Sequence, residues 1–188
     1  MARRGRCVRL PATMTHEVGQ LVGVAAPSAT DVWLASLGRI LHWNGRRWDV
    51  ITPHIGLPYA LNGVAATSAN NVRAVGDGLD SEVAVLLHWN GLRWTCAVGP
   101  RLGIANDPYF HAVSASSADS AWAVGGISQA VMLHWNGHTW KQVMIPQGQV
   151  SIIGWRGVAV IPQSSHAWAV GSTNTGTGMW YWDGTAWR

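Results

Sequence analysis

The hexapeptide Trp-Asn-Gly-x-x-Trp, with Asp for Asn in its last copy, occurs four times in this chain. The copies are Trp43–Trp48, Trp89–Trp94, Trp135–Trp140 and Trp182–Trp187, and their first tryptophans stand 46, 46 and 47 residues apart. A period in the forties marks a supersecondary unit that cannot bury its apolar face alone and must stack on its neighbours. The repeat therefore constrains the fold more than any bulk property of the chain.

Aligned on that hexapeptide, each unit reads as four short β segments. The first is apolar around Gly-Val, as in Leu21-Val22-Gly23-Val24 and Leu61-Asn62-Gly63-Val64. A Ser-rich turn leads to a second, as in Asp31-Val32-Trp33-Leu34-Ala35 and His166-Ala167-Trp168-Ala169-Val170. The third runs into the first Trp of the hexapeptide, as in Val85-Leu86-Leu87-His88-Trp89. Asn-Gly or Asp-Gly then turns the chain, the strongest short hairpin signal, and a fourth segment follows. β-Branched and aromatic residues dominate, and 3.6-residue spacing is absent. The predicted fold is all-β, a β-propeller of four-stranded antiparallel blades with four blades in this chain. The expected repeats span about 21–55, 59–100, 108–146 and 153–188, after a basic segment over 1–20.

These units resemble kelch-like and galactose-oxidase-central-domain-like propellers. They are most similar to bacterial repeat proteins built on Ser-x-x-Asp-Val-Trp-Ala-Val-Gly followed by His-Trp-Asn-Gly-x-x-Trp. The resemblance covers residues 21–188 and implies a fold, not an activity. The turn is also similar to the Asp-box of sialidase propellers, but it lacks that motif's leading Ser/Thr and its Asp-x-Gly spacing. Sialidase chemistry is therefore not implied.

Closure admits two readings. Cys7-Val8-Arg9-Leu10-Pro11 has the cadence of a fourth strand ending in Pro, and could complete the last blade of a closed four-bladed ring. Alternatively the four units are part of a larger propeller, or assemble with a second copy because the ring is incomplete.

The formal charge of +4 comes from Arg3, Arg4, Arg6 and Arg9; from residue 11 onward nine basic residues meet nine acidic ones. A neutral body gives no basic footprint for nucleic acid, so no nucleic-acid partner is expected. No apolar run approaches the ~18 residues of a membrane span. The N-terminus is basic without a signal peptide's apolar stretch, so a complete chain would be cytoplasmic and a piece of a longer product could be extracellular.

No linear catalytic signature is present, and no catalytic residue, metal or cofactor is assigned. His42, His88 and His134 are of metal-ligating type, but they occupy equivalent slots in different units, which separates them. All 13 tryptophans fall in repeat slots and read as packing residues.

Loop lengths locate function instead. From the first-segment Gly/Ala to the second-segment Trp position the spacing is 10, 10, 10 and 11, and between the paired tryptophans it is always 5. The connections between second and third segments, and between units, vary, and both sets emerge on one face of the ring. A rigid scaffold with variable loops at one end is a binding architecture. Departures from the repeat gather around its second copy, where Arg73 fills a Trp position and Asp77, Asp80 and Glu82 crowd the longest insertion. The candidate ligand-binding residues are Tyr59, Arg73, Asp77, Asp80, Glu82, Arg101, Asp107 and Tyr109. The expected function is non-enzymatic binding of a protein, a small polar ligand or a glycan. The alternative is a fragment of a secreted carbohydrate-binding or glycan-active propeller.

Overall fold

The computed structural model describes residues 10–79, 83–98, 109–126, 129–145 and 151–188. After a short helix α1 (Ala12–Val18), every element among the described residues is a strand. Blade 1 comprises β1 (Leu21–Ser28), β2 (Asp31–Ser36), β3 (Arg39–Trp43) and β4 (Trp48–Ile51). Blade 2 comprises β5 (Tyr59–Ser68), β6 (Asn71–Gly78), β7 (Ala84–Trp89) and β8 (Trp94–Val98). Blade 3 comprises β9 (Phe110–Ala115), β10 (Ala121–Gly125), β11 (Val131–Trp135) and β12 (Trp140–Gln142). Blade 4 comprises β13 (Ile152–Val160), β14 (Ala167–Thr173) and β15 (Gly176–Trp182). Its fourth strand is represented by a bridge between Trp182 and Trp187 and by two 2.9 Å backbone bonds between Tyr181 and Arg188. Every sheet is an antiparallel meander, as the repeat predicts.

The hexapeptide makes its turn by one mechanism in all four blades. The Asn44, Asn90 and Asn136 side-chain oxygens each accept the backbone N–H groups two and three residues on, at 3.0–3.1 Å. Asp183 does the same at 2.9 and 2.8 Å. The glycine that follows sits at φ between +87° and +94°, where a side chain is strained. A Cβ on Gly91 would also come within 2.8 Å of Asn70, in the turn between β5 and β6. The hairpin therefore docks on the constant loop of its own blade.

Blades stack through their inner strands, β1 on β5, β5 on β9 and β9 on β13. Two contacts recur at each junction. In the first, Leu61 and Val64 of blade 2 pack with Ala35 and Ile40 of blade 1. Phe110 and Val113 of blade 3 pack likewise with Val75 and Leu86 of blade 2. Trp155 and Val158 of blade 4 pack with Val124 and Met132 of blade 3. In the second contact, one second-strand residue faces the tryptophan pair of the next blade. Trp33 lies 6.1 and 5.9 Å from Trp89 and Trp94, and Trp122 lies 5.2 Å from both Trp182 and Trp187. In blade 2 the slot holds Arg73, whose guanidinium lies 4.6 and 5.6 Å from the Trp135 and Trp140 rings. Buried aromatics in offset or edge-on pairs contribute about 1 kcal/mol each beyond their area. The tryptophans are thus the fastening between blades.

Among the described residues this stack does not return on itself, because β13 and β1 do not pack as the other inner strands do and leave Leu21 and Val24 exposed. Leu10 and Pro11 lead into α1 without pairing as a strand, and Cys7–Arg9 lie outside the described residues. Helix α1 is tied to blade 1 by a 3.5 Å contact between Glu17 and Arg39, and its last residue, Val18, is buried.

Candidate functional site at the inner strands

The first strand of each blade carries a register break at the same place. The pairing skips from Leu21 to Gly23, from Leu61 to Gly63, from Phe110 to Ala112 and from Trp155 to Gly157. A β-bulge inserts one extra residue and re-aims its side chain. The inserted residues are Val22, Asn62, His111 and Arg156. Flanking slots hold the same apolar chemistry in all four blades, whereas this slot changes from apolar to amide, imidazole and guanidinium. Bulging brings the backbone close: a Cβ on Gly76 would fall 1.8 Å from the Ala60 carbonyl, and one on Gly125 1.9 Å from that of Tyr109. The glycine of the repeated Ala-Val-Gly thus accommodates this close approach in blades 2 to 4, whereas blade 1 makes the same bulge opposite Ser36.

The three polar bulge residues form one row across blades 2, 3 and 4. Asn62 donates its two amide hydrogens to Asp77 at 2.7 Å and to the Phe110 carbonyl at 2.9 Å, leaving its oxygen as an acceptor. One residue on, His111 Nε2 accepts from Arg156 Nη1 at 2.8 Å. That bond places the His111 proton on Nδ1. Burial, and then the neighbouring Arg156 charge, hold the His111 pKa below its ordinary value, so the ring is neutral at pH 7. Tyr109 packs on His111 with ring centroids 4.9 Å apart. The row presents an acceptor, an imidazole N–H and the remaining donors of an exposed Arg156.

Its position is at the end of the blades where the variable loops emerge. Tyr59 and Asp77 stand at that end of blade 2, where β5 starts and β6 finishes, and Tyr109 precedes β9 in blade 3. Asp77 belongs to the row through Asn62. Tyr59 is buried, donates its hydroxyl to the Pro53 carbonyl at 2.7 Å, and has its pKa pushed up to about 12 by burial. Its hydroxyl braces the loop that precedes β5. Asp80, Glu82, Arg101 and Asp107 lie outside the described residues.

Arg73 stands apart from this group. It is four residues from Asp77 along β6, about 13 Å at the strand rise, and at the constant-loop end. Its Nη2 donates to the Ala118 carbonyl at 2.8 Å, between β9 and β10. Burial lowers its pKa to about 10, with Asp119 acting against that shift, so it stays charged. Its Nε has no hydrogen-bond partner among the described residues, and neither has the indole nitrogen of Trp33 in the equivalent slot. The slot is built for a large flat side chain, and Arg73 fills it as a junction residue.

The third-strand histidines are engaged within their own blades. His42 contacts Asp31 at 2.7 Å, His88 contacts Asn71 at 2.8 Å and His134 contacts Ser120 at 3.4 Å. His42 also stacks on Trp33 at 3.8 Å and His134 lies over Trp122 at 4.3 Å. These rings support the junction slot of their own blade.

A scan against protein families finds no match, nor does a comparison with curated proteins. Solved structures do match. A structure of YCF48 bound to D1 peptide is 14% identical with a TM-score of 0.54, over 96% of this chain and 70% of its own. The structure of U3-55K is 11% identical with a TM-score of 0.64, over 92% of this chain and 52% of its own. SapL1 lectin in complex with alpha methyl fucoside is 16% identical with a TM-score of 0.60, over 91% of this chain and 61% of its own. All three are β-propeller proteins, and this chain shares their fold. It spans 52–70% of their length.

Proposed function

We propose that the chain is a non-enzymatic binding module whose ligand lies across the inner strands at the variable-loop end, over Asn62, His111 and Arg156. The observation that supports this reading is the bulged slot. One position is re-aimed identically in every blade, and it is the position whose chemistry changes while its neighbours do not. A packing role would favour one apolar residue there, as at Leu21, Leu61, Phe110 and Trp155. An exposed guanidinium suits a carboxylate, which it binds with two parallel bonds. Asn62 and His111 supply an acceptor and a donor for the amides of an extended chain. The ligand is accordingly a peptide segment that carries a carboxylate.

The test is a peptide array and a glycan array, each followed by titration of the hits against wild type and Arg156→Ala. Charge-assisted hydrogen bonds contribute about 1.5–3 kcal/mol, so Arg156→Ala should weaken an acidic peptide roughly ten- to hundredfold. His111→Ala should weaken it less. A glycan hit unaffected by Arg156→Ala would assign the module to sugars through another surface and overturn the peptide reading.

A further inference from the structure

The junction between blades has two halves, and among the described residues one of each is left uncovered. The half that faces the next blade consists of a second-strand slot residue, an apolar residue two positions on, and a third-strand residue. In blades 1 to 3 these are Trp33, Ala35 and Ile40; Arg73, Val75 and Leu86; and Trp122, Val124 and Met132, all buried. In blade 4 they are Trp168, Val170 and Met179, which are 40%, 45% and 65% exposed. The half that faces the preceding blade shows the converse. Leu61 and Val64, and then Phe110 and Val113, are buried in blades 2 and 3, whereas Leu21 and Val24 of blade 1 are 42% and 66% exposed. A groove of about 470 Å³ runs over the open face of blade 4, lined by Val170, Gly171, Ser172, Thr177, Gly178 and Met179, with Arg156 at its side. Equivalent ground in blades 1 to 3 is covered by the next inner strand. The aromatic fastening repeats the pattern: Trp43 and Trp48 pack together at 5.7 Å as the other pairs do, yet among the described residues no second-strand slot residue stacks on them.

We propose that a second copy of this chain covers both faces, blade 4 of each copy packing on blade 1 of the other to close a ring of eight blades. Trp168 of one copy would meet the Trp43–Trp48 pair of its partner, as Trp33 meets Trp89 and Trp94. Val170 and Met179 would receive Leu21 and Val24, as Val124 and Met132 receive Trp155 and Val158. The occupant is a second copy because the two uncovered halves complement each other, in the residue types that already fit together three times. A contact between unlike faces gives a ring when the rotation closes, and eight blades lie within the four to eight typical of propellers. Helix α1 shares the blade 1 face, because Arg39, which holds Glu17, points away from Ile40 and the blade 2 side. That exposed ion pair is worth at most about 1 kcal/mol, and although the buried Val18 also anchors the helix, α1 leaves Leu21 and Val24 exposed for the second copy.

The experiment is sedimentation equilibrium of the full chain and of Val24→Asp and Met179→Asp. Both positions are exposed in the single chain, so far-ultraviolet circular dichroism of the variants should match wild type. Wild type should run at twice the chain mass, and each variant alone at the chain mass. An equimolar mixture of the two variants should recover a two-chain species, since one of its junctions retains both native halves. A single-chain mass for wild type at high micromolar concentration would falsify the assembly. Species of three or more chains would overturn the two-copy ring. Failure of the mixture to pair, with both variants folded, would overturn the head-to-tail arrangement. His111→Ala, which alters the ligand row but not the lining of that groove, should remain a dimer, and this separates the result from that of the ligand reading.

Discussion

Arg73 shows how much a single side chain can mislead and then instruct. Its place in a Trp slot marks it as exceptional in the sequence, and the structure makes it a junction residue with two indoles against its guanidinium. Truncation to Ala removes a desolvated cation–π contact of about 2 kcal/mol and opens a cavity. Arg73→Ala should cost roughly 3 kcal/mol in urea denaturation. Arg73→Trp, which restores the residue of blades 1 and 3, should match or exceed wild-type stability and leave titrations at the Asn62–His111–Arg156 row unchanged. A fall in ligand affinity with intact folding would return Arg73 to the site. Gly91 is the complementary case. With φ at +90° and Asn70 within 2.8 Å of a Cβ, Gly91→Ala should lower stability by about 1–2 kcal/mol, read from the denaturation midpoint. The neighbouring Leu92, exposed in the same turn, should tolerate Ala within about 0.5 kcal/mol.

At the scale of the element, the third and first strands hold three histidines that the fold keeps neutral. Burial depresses the pKa of His88, His111 and His134, with the Arg73 charge adding to the effect at His88 and that of Arg156 at His111. The unfolded chain binds protons at these rings below about pH 6.5, whereas the native strands resist them. Stability from these groups is therefore present above pH 6.5 and lost as pH falls through the depressed native values. The melting temperature should drop between pH 7 and pH 5, and His134→Gln should flatten that slope. An unchanged slope in the variant would show that His134 is protonated in the native blade. The bulged first strand is the other instructive element, since a single inserted residue converts an apolar strand into one with a polar position near the axis.

Across the whole molecule, the same junction explains both cohesion and incompleteness. Three junctions are satisfied internally and a fourth is split between the two ends of the stack. Repeat proteins gain stability from neighbour interfaces more than from the units themselves. The second copy should therefore raise the melting temperature with protein concentration, an effect that Met179→Asp should abolish. A flat concentration dependence in wild type would contradict the shared junction.

Trp-Asn-Gly-x-x-Trp by itself determined the blade, because an Asn carbonyl, a glycine at positive φ and a tryptophan pair five residues apart specify one hairpin without help from distant residues. The period determined the number of blades. The variable loops indicated which end of the blades to examine, and Asp77 and Tyr109 do stand beside the row found there. Asn62, His111 and Arg156 were legible only as an aligned column reading Val, Asn, His, Arg. Nothing local says that this column is bulged, since bulging is a property of pairing register. Arg73 and Asp77 are separated by distance along the strand, because residues four apart on β6 share a face and still lie at opposite ends of a blade. The open faces were decided by tertiary structure alone: Trp168 and Val24 are as apolar as Trp122 and Val64, and only the stack reveals which of them still lacks a neighbour.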